Sequence, residues 1–279
     1  MSPTPVRNIS DTARWVAAYR ALESARDDAL FHDHLAERLA GERGRQIASL
    51  AGAHSQWSLV TRTRLIDDLV LQSIAQGTEC VLNLAAGLDT RPYRLALPSE
   101  LLWIEADLAP LIDEKEELLR DETPHCRLTR ERVDLAHAET RAAFFHDVNG
   151  RARRTLVITE GLIVYLESPM AADLARAIAA EPNFERWVVD FSSVEIVEMM
   201  KRSMGTVLTH SPFRFEATGG VTFFERQGWQ AEHILSLMKE AERLHRLPLW
   251  MRPFAWLPQP NPRKTNGRWS VVAQFKQVK

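Results

Sequence analysis

Two carboxylates, Glu105 and Asp107, end the apolar run Leu101-Leu102-Trp103-Ile104. They follow, at roughly the twenty-residue spacing of a ribose-binding acid, the bare stretch Ala85-Ala86-Gly87, which itself follows the apolar run Val81-Leu82-Asn83-Leu84. A carboxylate can accept both hydroxyl protons of a ribose at once, and small residues after a buried strand let a ligand approach the backbone, so the pair of features suits an adenosine-bearing cofactor. Side chains alternate along a strand, so Glu105 and Asp107 share a face and either could hold the ribose. A third acid, Glu160, closes Leu156-Val157-Ile158-Thr159. That is the carboxyl end of a buried strand, where open α/β sheets bind ligands. Each feature has a plainer counterpart: a glycine turn is often only a turn, and strand ends often carry solvated acids.

These residues need a parallel sheet to bring them together, and the chain supplies its rhythm. Residues 1–78 read as a helical segment, with apolar stripes over Asp11 to Ser24 and Thr63 to Gln76. The core, residues 79–191, alternates: a strand over Val81 to Leu84 with Asp89 or Thr90 capping the next helix, a second strand over Leu101 to Asp107, and a helix over Pro110 to Arg120. A strand over Arg127 to Val133, a helix over Glu139 to Phe145, a strand over Thr155 to Glu160, a helix over Pro169 to Ala180 and a strand over Arg186 to Phe191 follow. Strand and helix in alternation predict a doubly wound α/β sheet. Residues 192–229 break the rhythm and read as an inserted cover carrying Met199, Met200, Met204, Phe213 and Phe215 as adaptable apolar walls, to meet the N-terminal helix with its Trp15 over the site. Residues 230–279 read as a closing helix and strands, with Leu247 to Trp256 and Arg268 to Phe275 as the two strands of an edge.

Composition narrows the class. With 279 residues, of which 45% are hydrophobic and 26% charged, the chain can bury one sizeable core. A formal net charge of −2 argues against a generic nucleic-acid binder, and the sequence holds no apolar stretch of the ~20 residues that spanning a bilayer takes. Two scattered cysteines, Cys80 and Cys126, make neither a disulfide scaffold nor a zinc site, and the opening MSPTPVRNISDTARW lacks the apolar core of an export signal. A cytoplasmic protein without a metal is expected.

The strings LNLAAGLDTRPYRL, WIEADLAPLIDEK, VDL at Val133 to Leu135 and ITEGLIVYL at Ile158 to Leu166, in that order, resemble the leucine carboxyl methyltransferase-like family of S-adenosylmethionine-dependent methyltransferases, in its bacterial small-molecule O-methyltransferase branch. The resemblance extends over roughly residues 10–275. It implies a class I, Rossmann-like methyltransferase fold and S-adenosyl-L-methionine as cofactor. It further implies O-methylation of a small organic acceptor, a carboxylic acid or a hydroxyl, in secondary metabolism. By the same resemblance Arg62 pairs with the methionyl carboxylate, Ala85 and Gly87 line the cofactor, Asp107 holds the ribose with Glu105 as the other candidate, Asp134 and Leu135 flank the adenine, and Glu160 faces the methionyl amino group. The family usually has glycine where this chain has Ala85. For the acceptor, His210, Arg214 and Tyr165 are the candidates to orient it or take its proton. A carboxylic acid acceptor is already ionised at neutral pH and needs no base. Methylation of a protein C-terminus and a non-catalytic cofactor-binding scaffold are the other readings, and a nicotinamide dehydrogenase is disfavoured because G-x-G-x-x-G is incomplete.

Overall fold

The computed structural model describes residues 9–51, 55–204, 213–216, 218–264 and 267–278. The chain opens with three helices, α1 (Ile9–Ser24), α2 (Ala36–Ala51) and α3 (Gln56–Ala75). The first two pack closely: a Cβ at Gly44 would stand 2.5 Å from the Arg14 carbonyl oxygen, so glycine sets the approach of α2 to α1. Strands and helices then alternate through β1 (Cys80–Leu84), α4 (Arg91–Arg94), β2 (Leu102–Asp107), α5 (Ala109–Leu118), β3 (Arg127–Arg132), α6 (Ala138–Arg151), β4 (Thr155–Thr159), α7 (Ser168–Ala179) and β5 (Phe184–Ser192). After β5 come α8 (Val194–Met204), α9 (Val221–Glu225), β6 (Trp229–Ser236), α10 (Leu237–Arg243), α11 (Arg252–Trp256) and β7 (Ser270–Gln277).

Among the described residues seven strands form one sheet in the order β3-β2-β1-β4-β5-β7-β6. β1 to β5 pair in parallel, and β7 runs antiparallel to both its neighbours. This is the doubly wound α/β architecture expected from the alternation, and its order reverses between β1 and β4. A reversal leaves a crevice at the carboxyl ends of those two strands, because the connecting helices depart to opposite faces.

Both faces of the central strands are covered, which is why β1 and β4 are buried along their whole length and read as mostly apolar runs, with Asn83 inside β1 and a threonine at each end of β4. One face joins Leu82, Val157, Trp187, Val189 and Phe275 to α6, α7 and α9. The other joins Val81, Leu156, Ile158, Val188 and Val272 to Leu65, Ile66, Leu69 and Val70 of α3. The edge strand β3, by contrast, carries four charges in RLTRER and exposes Arg127, Thr129 and Arg132.

Two expectations from the sequence need correction. Leu247 to Trp256 is no strand: Leu249–Met251 forms a 3-10 turn and α11 follows it. Pro248 and Pro253 each remove a backbone N–H that a ladder would use, and Leu249, Trp250 and Trp256 are exposed rather than packed in a sheet. The strand on the outer side of β7 is β6. The stretch 192–229 also divides. Ser192, Met200, Phe213 and Arg214 face the crevice, whereas Phe224 and Trp229 pack around Trp187 in the sheet core, with ring centroids 5.0 and 5.5 Å away.

Candidate active site

A cavity of about 540 Å³ opens at the carboxyl ends of β1, β2, β4 and β5. It is lined by Arg62, Ala85, Gly87, Asp107, Asp134, Leu135, Glu160, Tyr165 and Arg214, so nine candidates scattered over the sequence meet in one place. Glu105 is not among the lining residues. His210 lies outside the described residues.

The turn after β1 forms the near wall. Gly87 has φ +51°, and its N–H donates to Asp107 Oδ2 at 2.7 Å. The Leu108 N–H donates to Asp107 Oδ1 at 2.8 Å. Asp107 thus ends β2 held by backbone alone, with no cation in hydrogen-bond contact among the described residues. Burial raises its pKa above the usual aspartate value, against the two N–H donors. Ala85 also has positive φ, +52°, where a Cβ is strained, and this is the position at which the resembling family usually has glycine.

Glu105, two residues earlier, has a different task. Lys115 Nζ donates to it at 2.8 Å and Arg130 Nε at 2.9 Å, with neither the acid nor the lysine side chain exposed. The strand alternation correctly put both acids on one face. It could not tell that α5 and β3 close over Glu105 and leave Asp107 facing the cavity.

The floor is ionic. Arg62 Nε donates to Glu160 at 3.0 Å and its Nη1 to Asp190 at 3.0 Å. Arg91 Nη1 lies 2.8 Å from Glu160 and 2.5 Å from Asp89, and its Nε donates to Asp67 at 2.7 Å. Arg94 joins the same Asp67 at 2.6 Å. Burial disfavours the charge of Glu160, but Arg91 and Arg62 outweigh it and hold its pKa below the ordinary value. Arg62 is buried too, and its two carboxylates raise its pKa regardless. Arg62 is thus a member of a buried ion-pair network and not a solvated cation of a helix face. Asp89 caps α4 by accepting the Arg91 N–H at 2.8 Å, while Thr90 turns its hydroxyl to Asp33 at 2.6 Å.

Asp190 escaped the sequence reading. It lies near the carboxyl end of β5, directly after Val189, which pairs with Thr159 of β4, and is therefore level with Glu160; the same rule applied one strand further would have found it. Its Oδ1 accepts the Gly161 N–H at 2.6 Å, so it ties the turn after β4 to Arg62.

At the far end Asp134 is exposed and accepts the Ala136 N–H at 2.9 Å, and half-buried Leu135 gives its carbonyl to Arg141 Nη1 at 2.9 Å. The roof joins Thr12, Ala13, Trp15 and Val16 of α1 to Met200 of α8, Phe213 and Arg214. Tyr165 sits between them: its ring centroid lies 5.5 Å from that of Phe213 and its hydroxyl hydrogen-bonds Thr12. Burial raises the Tyr165 pKa, so at neutral pH the phenol is a donor and not a base. Arg214 pairs with Glu167 at 3.3 Å at the rim. Met200 and Phe213 line the cavity as expected. Phe215 instead stacks on Phe224 in the core, Met199 is exposed, and the Met204 side chain lies outside the described residues.

Among the described residues no group of histidine, cysteine or acidic side chains could hold a metal ion, no helix is long and apolar enough to cross a membrane, and both cysteines are free and buried.

Comparison with known proteins agrees with this architecture. A protein of Streptomyces coelicolor named as a putative S-adenosyl-L-methionine-dependent methyltransferase is 31% identical over 265 residues, 89% of this chain and 90% of its own. One of Frankia alni with the same kind of name is 34% identical over 238 residues, 79% of this chain and 82% of its own. The crystal structure of a putative methyltransferase from Thermobifida fusca superposes with a TM-score of 0.61 at 13% identity, covering 96% of this chain and 94% of that one, a likeness of fold. The family model for leucine carboxyl methyltransferase matches residues 13–179, from within α1 to the end of α7, including the cavity's acidic floor as far as Glu160. The chain belongs to the leucine carboxyl methyltransferase family of S-adenosylmethionine-dependent methyltransferases, and its sheet is the class I fold of those enzymes.

Proposed function

We propose that this protein transfers the methyl group of S-adenosylmethionine to an oxygen of a small organic acceptor, a carboxylate or a hydroxyl. The observation that carries the reading is the roofed cavity itself, whose two halves differ in chemistry. The half between β1, β2 and β4 offers what the cofactor needs: Asp107, a buried carboxylate without a cation, for two ribose hydroxyls; the backbone of Ala85 to Gly87 for close approach; Asp134 and Leu135 for the adenine; and Arg62 and Glu160 for the charged methionyl end. Arg62 has engaged Nε and Nη1, which leaves Nη2 for a carboxylate. The half beneath α1 and α8 is apolar and aromatic, with Tyr165 and Arg214 as donors that could orient an acceptor.

When bound, the cofactor supplies an electrophilic methyl group on sulfur. The protein's part is alignment and exclusion of water, which can supply several kcal/mol of the barrier reduction. The volume suits one cofactor with a small partner, within the ~300–1,000 Å³ of ligand sites. The setting in secondary metabolism follows from the resemblance to the small-molecule branch.

Calorimetry should give micromolar dissociation constants for S-adenosylmethionine and S-adenosylhomocysteine, about −7 to −8 kcal/mol. Binding of NAD in place of both would overturn the reading. With isotopically labelled methyl donor, transfer to a product from which alkali releases the label identifies a carboxylate acceptor, and an alkali-stable label a hydroxyl. Binding of the donor without any transfer across acceptor extracts would reduce the protein to a scaffold.

A further inference from the structure

The ionic floor of the cavity does not balance. Arg62, Arg91 and Arg94 are interleaved with Asp67, Asp89, Glu160 and Asp190, three guanidiniums against four carboxylates, a surplus of one negative charge. All seven side chains are at most 16% exposed, so water and salt screen this surplus weakly. The least compensated member is Asp190. Glu160 and Asp67 each bridge two arginines, and Asp89 lies under the combined influence of Arg91, Lys115 and Arg94. Asp190 has Arg62 as its one ion-pair partner among the described residues, shares that cation with Glu160, and lines the cavity.

We infer that Asp190 is a specificity-determining residue that makes the cavity prefer the methyl donor over the demethylated product. The inference rests on the S-adenosylmethionine reading. Donor and product differ by one methyl group and one positive charge on sulfur, so hydrogen bonds to adenine, ribose and amino acid hold both alike. Only charge near the sulfur can separate them strongly, and an enzyme that holds its product as tightly as its donor is throttled by it. A buried surplus of negative charge on β5, level with Glu160 and next to Arg62 and the Gly161 turn, is such a device.

The test is the ratio of dissociation constants for S-adenosylhomocysteine and S-adenosylmethionine, measured by calorimetry on the full chain. Asp190→Asn keeps the size of the side chain and an oxygen for the Gly161 N–H while removing the charge. It should weaken the donor roughly ten-fold more than the product, the size expected for a unit charge about 12 Å away at an effective dielectric of about 20. Asp190→Glu restores the charge and should restore the ratio, even where both affinities fall. Should Asp190→Asn not fold, Asp190→Ser removes the same charge and must move the ratio in the same direction. An equal loss for both ligands, or no loss for either, makes Asp190 a structural prop and overturns the inference. Failure of the unaltered protein to bind either ligand overturns the cofactor reading, and this inference with it.

Discussion

Asp107 and Glu105 are two acids two residues apart on one face of β2, and their surroundings give them opposite tasks. Asp107→Ala removes a charge-assisted acceptor for two hydroxyls and should weaken cofactor binding by about 1.5–3 kcal/mol, read by calorimetry, with little change in stability. Glu105→Ala leaves Lys115 buried without its partner and should cost about 3–5 kcal/mol of folding stability, read by denaturant unfolding. Asp107 also predicts a pH dependence. Burial raises its pKa, and ribose hydroxyls donate to the ionised form, so affinity should fall as pH drops through that raised value, earlier than an ordinary aspartate would dictate. Asp107→Asn should flatten the profile. For stability the sign is reversed: a raised acid favours the folded state as pH falls, whereas Glu160, held low by Arg91 and Arg62, stabilises at neutral pH and loses that contribution as pH drops through its lowered value. Ala85 is a strained position. At φ +52° its Cβ is strained by about 1–2 kcal/mol, partly offset in a glycine by chain entropy, so Ala85→Gly should stabilise the fold by about 0.5–1 kcal/mol in thermal unfolding.

At the scale of elements, α1 is both roof and structural member. Trp15 and Tyr19 share an apolar cluster with Val197 of α8 and Phe213. Arg20 donates to buried Asp33 at 2.8 Å, and Glu23 accepts from Arg246 at 2.8 Å. Removing residues 1–24 should therefore abolish transfer and also lower stability, since it takes Arg20 from buried Asp33 and Glu23 from Arg246, which keeps only Asp28 as an ion-pair partner among the described residues. Trp15→Ala separates the two roles. It should cost about 3–5 kcal/mol if the ring is mainly core, whereas acceptor turnover lost at a temperature where the variant remains folded shows that the ring also shapes the site. Full activity of the truncated chain would show that the acceptor site is built without α1.

At the scale of the whole molecule, β5 joins the parallel half of the sheet to the antiparallel edge, and Trp187 fills the joint. It is fully buried, ringed by Phe224, Trp229 and Phe275, and its Nε1 donates to Thr159 at 2.9 Å. Trp187→Ala should cost about 3–5 kcal/mol in equilibrium unfolding, and the loss should register across both halves of the sheet in hydrogen exchange.

The alternation of β1 through β5 and the acids at the ends of β2 and β4 were legible in the sequence, because a strand buried on both faces must be largely apolar and ligands gather at its carboxyl end. So was the composition of the roof, Trp15 with Met200 and Phe213, though not that Phe215 would turn into the core. Only the tertiary structure decided which of two same-face acids is free, because Lys115 and Arg130 reach Glu105 from α5 and β3, ten and twenty-five residues away. It decided as well that the last apolar stretch, broken by Pro248 and Pro253, folds as turn and helix while β6 pairs with β7. The charge balance of the cavity floor belongs to the same level: its seven members come from α3, α4 and its cap and the ends of β4 and β5, and no local pattern records that they meet.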